Sequence, residues 1–289
     1  MKQMEPVQTK QQYHTHITSK HRWLRLNLGE VWRYRDLILL FTKRNFVISY
    51  KQTILGPAWV FLTPFITSII YTFVFGGIVG MSTDGVPQIL FYLTSNALWS
   101  FVSTCVMRNS STFTDNANVF GKVYFPRLTM PIANMFSVVI QFGVQMIMVV
   151  IFLAYYTITG AVTPHWGACL LIPLILLELG VLGIGIGIIV SSLTTKYRDL
   201  SILVSFGVQL WMYATPIVYP MSQLEDGFMK TILLINPVSA PVELFRYALL
   251  SQGSVLPGAL IYSAVFTVVL TFLGIIVFNR VEKNFMDTI

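Results

Sequence analysis

The sequence predicts an all-α integral membrane protein with six transmembrane helices, an N-terminal amphipathic helix in the interface, and a short re-entrant helical hairpin before the last span. Three observations predict it. The 289 residues are 55% hydrophobic and only 11% charged, with a mean hydropathy of +0.69, whereas soluble domains are about 25% charged. Six apolar stretches, at 54–78, 88–107, 131–158, 166–193, 200–219 and 256–278, each approach or exceed the roughly 20 residues that cross a bilayer as helix. Seventeen of the 19 Lys and Arg residues fall in segments that this arrangement puts on one side, the asymmetry that marks the inside of a membrane.

Taken in order, residues 1–29 are a polar tail without an apolar period, expected to be a loose cytoplasmic segment. It opens without the charged start, short apolar stretch and cleavage site of a secretory signal, so none is expected to be removed. His14, His16 and His21 lack the Cys or carboxylate partners that would complete a metal site. Residues 30–53 are basic and half apolar. On a helical wheel Tyr34, Leu37, Ile38, Phe41 and Ile48 share one arc, with Arg35, Asp36 and Lys43 off it and Arg44 and Asn45 interrupting it. The expectation is an interfacial helix with that arc in lipid.

Residues 54–280 form one six-span domain, and an even number of spans puts both termini inside, with 281–289 as a cytoplasmic end. The outer connections at 81–87 and 159–165 are short. Inside, 109–130 is longer, with room for a short helix around 113–120, and 194–199 is a tight charged turn. The segment 221–256 holds two semi-apolar runs, 228–235 and 242–250, broken by Asn236-Pro237 and Pro241. Neither run spans a bilayer, so a re-entrant hairpin covered by protein is expected. Within it, Glu243 and Arg246 share a helix face and can pair.

Polar residues inside spans are few. Asn134, Gln141 and Gln145 form one stripe on the third span, read as interhelical glue, and Gly180, Gly183, Gly185 and Gly187 read as a close-packing face on the fourth. Glu178 is the one carboxylate well inside a span and stands without an evident partner; it is either functional or a protonated, hydrogen-bonded packing residue. Cys105 and Cys169 lie in apolar spans as packing residues. Aromatic side chains occur within spans as well as at their ends, and their faces suit the C–H faces of sugar rings. No phosphate-loop motif, nucleophile elbow or HExxH appears. Paired broken spans in an inverted repeat, the mark of many secondary transporters, are also missing. The net charge of +7 is placed for topology rather than for nucleic acid.

Three blocks occur in a specific order: RDLILLFTKRNFVISYKQTILGPAWVFLTP at 35–64, YRDL at 197–200 followed by ATPIVYP at 214–220, and NPVSAPVELFRYALL at 236–250. With them the chain resembles the permease subunits of type-2 ABC exporters of polysaccharides, the O-antigen, capsule and teichoic acid permeases. The likeness spans roughly residues 33–283. It implies a half-transporter: two copies form the pathway, and two copies of a separate ATPase, holding the ATP and magnesium, drive a lipid-linked glycan outward across the bacterial cytoplasmic membrane. No cofactor is expected in this chain itself. The resemblance implies coupling roles for Arg35, Lys43, Arg44, Lys196, Tyr197, Arg198 and Asp199, and gate roles for Asn236, Pro237, Glu243 and Arg246. It implies a path lined by Trp59, Phe61, Phe65, Tyr71, Phe75, Trp211 and Tyr213. Two other readings remain open: a type-2 ABC exporter of a drug or small lipid, and a membrane enzyme of polysaccharide assembly. The second lacks the carboxylate or His cluster it would need.

Overall fold

The computed structural model describes the backbone of residues 28–285 except 52, 198 and 226, and side chains from residue 29 to 281. The tail at 1–27, with its three histidines, and Arg198 therefore lie outside the described residues. Among those described, every regular element is helical.

The chain starts with α1 (Leu28–Arg33) and α2 (Arg35–Tyr50). A 3-10 turn at Gly56–Ala58 leads into α3 (Trp59–Tyr71), which continues as a π-helical stretch, Thr72–Ile78. Then follow α4 (Gln88–Ser110), α5 (Thr112–Asp115), α6 (Ala117–Phe120), α7 (Thr129–Ile158), α8 (Trp166–Cys169) and α9 (Ile172–Thr194). The last helices are α10 (Leu200–Tyr213), α11 (Phe228–Ile235), α12 (Ser239–Leu250) and α13 (Pro257–Phe285). Prolines begin several of them: Pro57, Pro173 and Pro257 sit in first turns, where a missing amide costs nothing.

Among the described residues, five helical stretches are long and apolar enough to cross a membrane: Gly56–Ile78, Gln88–Ser110, Thr129–Ile158, Trp166–Thr194 and Pro257–Val281. The expected span at 200–219 is different, because its helix stops at Tyr213. Pro216 offers no amide to the carbonyl of Met212 and disfavours helix at Thr215. Fourteen residues rise about 21 Å, short of a hydrocarbon core of about 30 Å. The chain nevertheless crosses here. Leu200 follows directly on the end of α9, whereas the side chains of Ser222 and Gln223 bond to the 82–84 loop at the opposite end. Residues 214–220 complete the crossing without helix.

The same reasoning makes α11 and α12 a re-entrant pair. Their axes differ by 87° across the Asn236-Pro237 break. The pair starts beside the 82–84 loop, and at its far end Ser251 bonds to the carbonyl of Thr163 while the amide of His165 donates to Ala248 at 3.0 Å. Both loops lie at one end of the bundle, so the hairpin enters and leaves on the same side.

Helix α4 is the centre: 78% of its most apolar window is buried, against 17% for the first and last spans. It packs on α7 and α9, with α13 behind α9 and α2 along α7. Lipid tails are as apolar as Leu, so close packing rather than escape from water holds these helices together. The glycines of α9 supply that closeness on two sides. A Cβ on Gly183 would lie 2.8 Å from the Cys105 sulfur and one on Gly187 2.3 Å from Asn109 Cβ, both on α4, while one on Gly185 would meet Thr271 of α13 at 2.6 Å.

One expectation is corrected. The arc of α2 meets protein, not lipid: Ile38 and Phe41 are buried against the bundle, and Ile48 alone of the arc is largely exposed. The outward face of α2 carries Leu39, Leu40 and Val47 with Asp36 and Lys43 among them, and Trp32 of α1 is exposed just before it. Arg44 and Asn45 interrupt the arc because they bond inward.

The glycine contacts give a paired test. Gly187→Ala should cost about 1–3 kcal/mol through overpacking and lower the melting temperature of the detergent-purified protein. Gly143→Ala on α7, with open space around its Cβ position, should leave that temperature unchanged or raise it.

Candidate functional site

The hairpin break is built around one amide. Asn236 is buried, and its NH2 donates to the carbonyl of Ala214 at 2.7 Å and to Thr215 Oγ1 at 2.8 Å. Its carbonyl oxygen accepts from Trp211 Nε1 at 3.2 Å and from the amide of Val238 at 3.0 Å. Both donors and both acceptor positions of the side chain are thus used. Asn236 caps the broken end of α10 and folds its own chain into α12 at once. Pro237 follows, and its carbonyl accepts from Ser263 of α13 at 2.5 Å.

Ser263 Oγ also lies 2.5 Å from Glu178 Oε1. The Ser263 hydroxyl faces two acceptors, the Glu178 carboxyl and the Pro237 carbonyl. Glu178 thus has a partner 85 residues away in sequence, and joins α9, α13 and the hairpin.

One turn into α12, Glu243 and Arg246 form an ion pair with both side chains nearly sealed from solvent. Glu243 Oε2 accepts the amide of Ser254 at 2.9 Å, and the guanidinium lies 4.8 Å from the Phe91 ring centre on α4. The turn at Gly253 fits this pair closely: its φ is +136°, and a Cβ there would approach the Glu243 carbonyl to 2.7 Å.

The aromatic residues divide into groups. Tyr71 and Phe75 cluster with Tyr92 of α4, and the Tyr71 hydroxyl contacts Met212 at 3.4 Å, joining the first and fifth spans. Trp211 stands edge-on to Trp99, ring centres 5.7 Å apart, besides its bond to Asn236. Phe65 packs on Phe152 of α7 and Phe61 is half-buried. Tyr213 and Trp59 are largely exposed, and Trp59 borders a cavity between α3, α4 and α7.

At the basic end, Arg35, Lys43, Lys196, Tyr197 and Asp199 are exposed, with the Lys196 ammonium 5.3 Å from the Tyr197 ring centre. Arg44 is engaged within the protein: it bonds Asn45 at 3.1 Å and Asn116 at 3.0 Å, and stacks over Phe41. Burial lowers its pKa from the ordinary arginine value. Burial raises that of Tyr50, partly offset by Arg108 nearby. Asn45 bonds Asn134 at 2.8 Å, and Asn134 bonds the Arg108 carbonyl at 3.2 Å and Asn109 at 3.3 Å. Arg108 itself ties Ser137 at 2.8 Å to Ser49 at 2.9 Å. This belt joining α2, α4 and α7 was not predicted as a unit. Its sequence signals are the polar interruption of the α2 arc and Asn134 of the α7 polar stripe, read as interhelical glue.

A polytopic helical bundle with a re-entrant pair before its last span and a basic helix before its first is consistent with an integral membrane permease. The family model described as ABC-2 type transporter matches residues 36–250, and the chain belongs to that family, whose members work with an ATPase partner subunit. Among individual proteins, the chain is similar to an O-antigen export system permease protein RfbA of Klebsiella pneumoniae, 27% identical over 91% of this chain and 98% of the relative. A second Klebsiella pneumoniae permease of that name is 26% identical over 91% and 98%. The RfbA permease of Myxococcus xanthus is 26% identical over 90% and 98%.

The ion pair predicts an asymmetric response. Arg246→Met alone strands a buried carboxylate and should cost about 3–5 kcal/mol, whereas Arg246→Met with Glu243→Gln should recover most of the loss. Thermal aggregation of the purified variants checks the order.

Proposed function

We propose that this chain is the permease of an ABC transporter that exports a lipid-linked polysaccharide of the O-antigen, teichoic acid or capsule type, the first favoured by its relatives, across the cytoplasmic membrane. One observation carries the reading: relatives named as O-antigen export permeases match it over nearly their whole length. By the positive-inside rule the basic end faces the cytoplasm, with both termini there. ATP and magnesium belong to a separate ATPase, two copies of which serve two copies of this chain.

The geometry agrees with such an assembly. The outward face of α2 and the knuckle at 196–199 present Arg35, Lys43, Lys196, Tyr197 and Asp199 to a cytoplasmic partner. Helices α3 and α10 are weakly covered, exposing Ile66, Ile69, Phe73, Ile202, Leu203 and Phe206, faces that suit a second copy and a lipid-facing path between them. ATP-driven movement of the partner presses on α2 and the inner turn, the first and fifth spans part, and glycan threads past the aromatic residues while the hairpin holds the outer side.

Purification from native membranes should yield a stoichiometric ATPase whose turnover responds to lipid-linked glycan. A chain that purifies alone and shows no nucleotide-dependent activity overturns the proposal. Tyr197→Ala with Asp199→Ala should reduce glycan export several-fold with unchanged membrane insertion, measured by surface glycan and by the amount of permease in membranes. Unchanged export removes the coupling role of the turn.

A further inference from the structure

Helices α3, α4 and α7, with Tyr50 at the end of α2, line an open cavity of about 270 Å³. Its wall is polar, although these helices are membrane spans. On α4 it is lined by Asn96, Ser100 and Thr104, four residues apart and so on one helix line. Gln141 and Gln145 repeat that spacing on α7, and Trp59, Thr63 and Thr67 repeat it on α3. The stripe of Asn134, Gln141 and Gln145 reads as glue between helices, and Asn134 and Gln145 do bond across to neighbouring helices. Here three lines face a shared space.

The polar groups are only partly used by one another. Gln145 Nε2 reaches Ser100 Oγ at 3.3 Å, and Asn96 Nδ2 reaches the Pro64 carbonyl at 3.2 Å. The Gln145 side-chain oxygen has no donor, although the residue is only 9% exposed. A buried acceptor left unpaired is costly, and in a membrane span doubly so. The arrangement calls for a guest that brings a donor. An acyl chain could not serve, because it brings no donor for the Gln145 oxygen.

The wall also states what the guest is. It contains no Lys, Arg, Asp or Glu, so nothing in it would neutralise a charged guest and a neutral one suits it. Amides and hydroxyls that both donate and accept match a compound with several hydroxyl groups, and the rings of Trp59 and Tyr50 offer faces for aliphatic C–H groups. A cavity of about 270 Å³ has room for a pyranose ring together with some water. The opening is on the α3 side, where Trp59 and Thr63 are exposed. We infer that this cavity binds one neutral sugar residue, with Gln141 and Gln145 as hydrogen-bonding ligands and Trp59 as the stacking face. The site lies within one protomer, apart from the contact between the first and fifth spans. It rests on the export reading for the source of the sugar.

The test uses the complete complex with its ATPase in proteoliposomes. ATP hydrolysis is titrated with a polyprenyl diphosphate carrying one hexose, and with the same carrier lacking the sugar. Gln141→Met with Gln145→Met keeps the side-chain length and removes both amides. The half-stimulating concentration of the sugar-bearing carrier should rise about tenfold, while that of the bare carrier stays constant. Thr63→Val, at the exposed mouth where folding is least at risk, should shift the same titration a few-fold. Unshifted titrations in both variants overturn the sugar site while the export reading stands, and the cavity then holds water only. Equal shifts for both carriers also overturn it, assigning the effect to the carrier. A wild-type complex that ignores both carriers overturns the export reading and this inference with it.

Discussion

The side-chain amide of Asn236 is the contact on which the outer half of the molecule depends. A helix that ends inside a bilayer exposes carbonyls that water cannot reach, and the fold survives only if other protein groups satisfy them. Helix α10 ends that way at Tyr213. Asn236 meets the Ala214 carbonyl and Thr215 hydroxyl there, and takes the Trp211 indole N–H and its own chain's Val238 amide on its other side. The fifth span and the hairpin are therefore one structural unit. Moving either strands several buried groups together, each costing about 1–3 kcal/mol, so the pair moves as a body or stays.

The Glu243–Arg246 pair fixes the second half of that unit. A buried ion pair seldom adds net stability over a well-packed apolar pair, but losing one member is severe. Its value here is positional. Arg246 stacks on Phe91 of the central helix, and Glu243 holds the Ser254 amide at the turn leading to α13. Glu178 and Ser263 add a third tie through the Pro237 carbonyl. The hairpin is thus bound to α4, α9, α10 and α13 by polar contacts that each have a defined geometry, which apolar packing alone would not give.

What could be read from the sequence followed from length and period. Five spans and both arms of the hairpin stand within a few residues of where apolar run length and the prolines put them, since run length and proline chemistry are local properties. The fifth span was legible as a crossing but not as a broken helix, although Pro216 and Pro220 mark the place. The partners were not legible. Glu178 and Ser263, Asn45 and Asn134, and Trp211 and Asn236 are 85, 89 and 25 residues apart, and no spacing rule joins residues on different helices. The wheel of α2 failed for a related reason: an apolar arc has the same pattern whether it meets lipid or α7, and only Arg44 and Asn45 within it hinted at protein.

The polar belt at the basic end decides what a push on α2 would reach. Asn45 and Asn134 join α2 to α7, Arg108 joins both to α4, and Asn109 sits under Gly187 of α9. Helices α2, α4, α7 and α9 thereby form a block bound by directional bonds and close backbone contact. Helix α3 leaves most of its surface uncovered, and α10 is held mainly at its far end by Asn236 and by the Tyr71–Met212 contact. Force applied to α2 passes into the block at once, whereas α3, joined to α2 through the short 51–58 segment, is among the spans least covered by protein. On the proposed reading, separation of the first and fifth spans is therefore the deformation that breaks the fewest polar contacts. The block and the hairpin are the fixed parts between which it occurs.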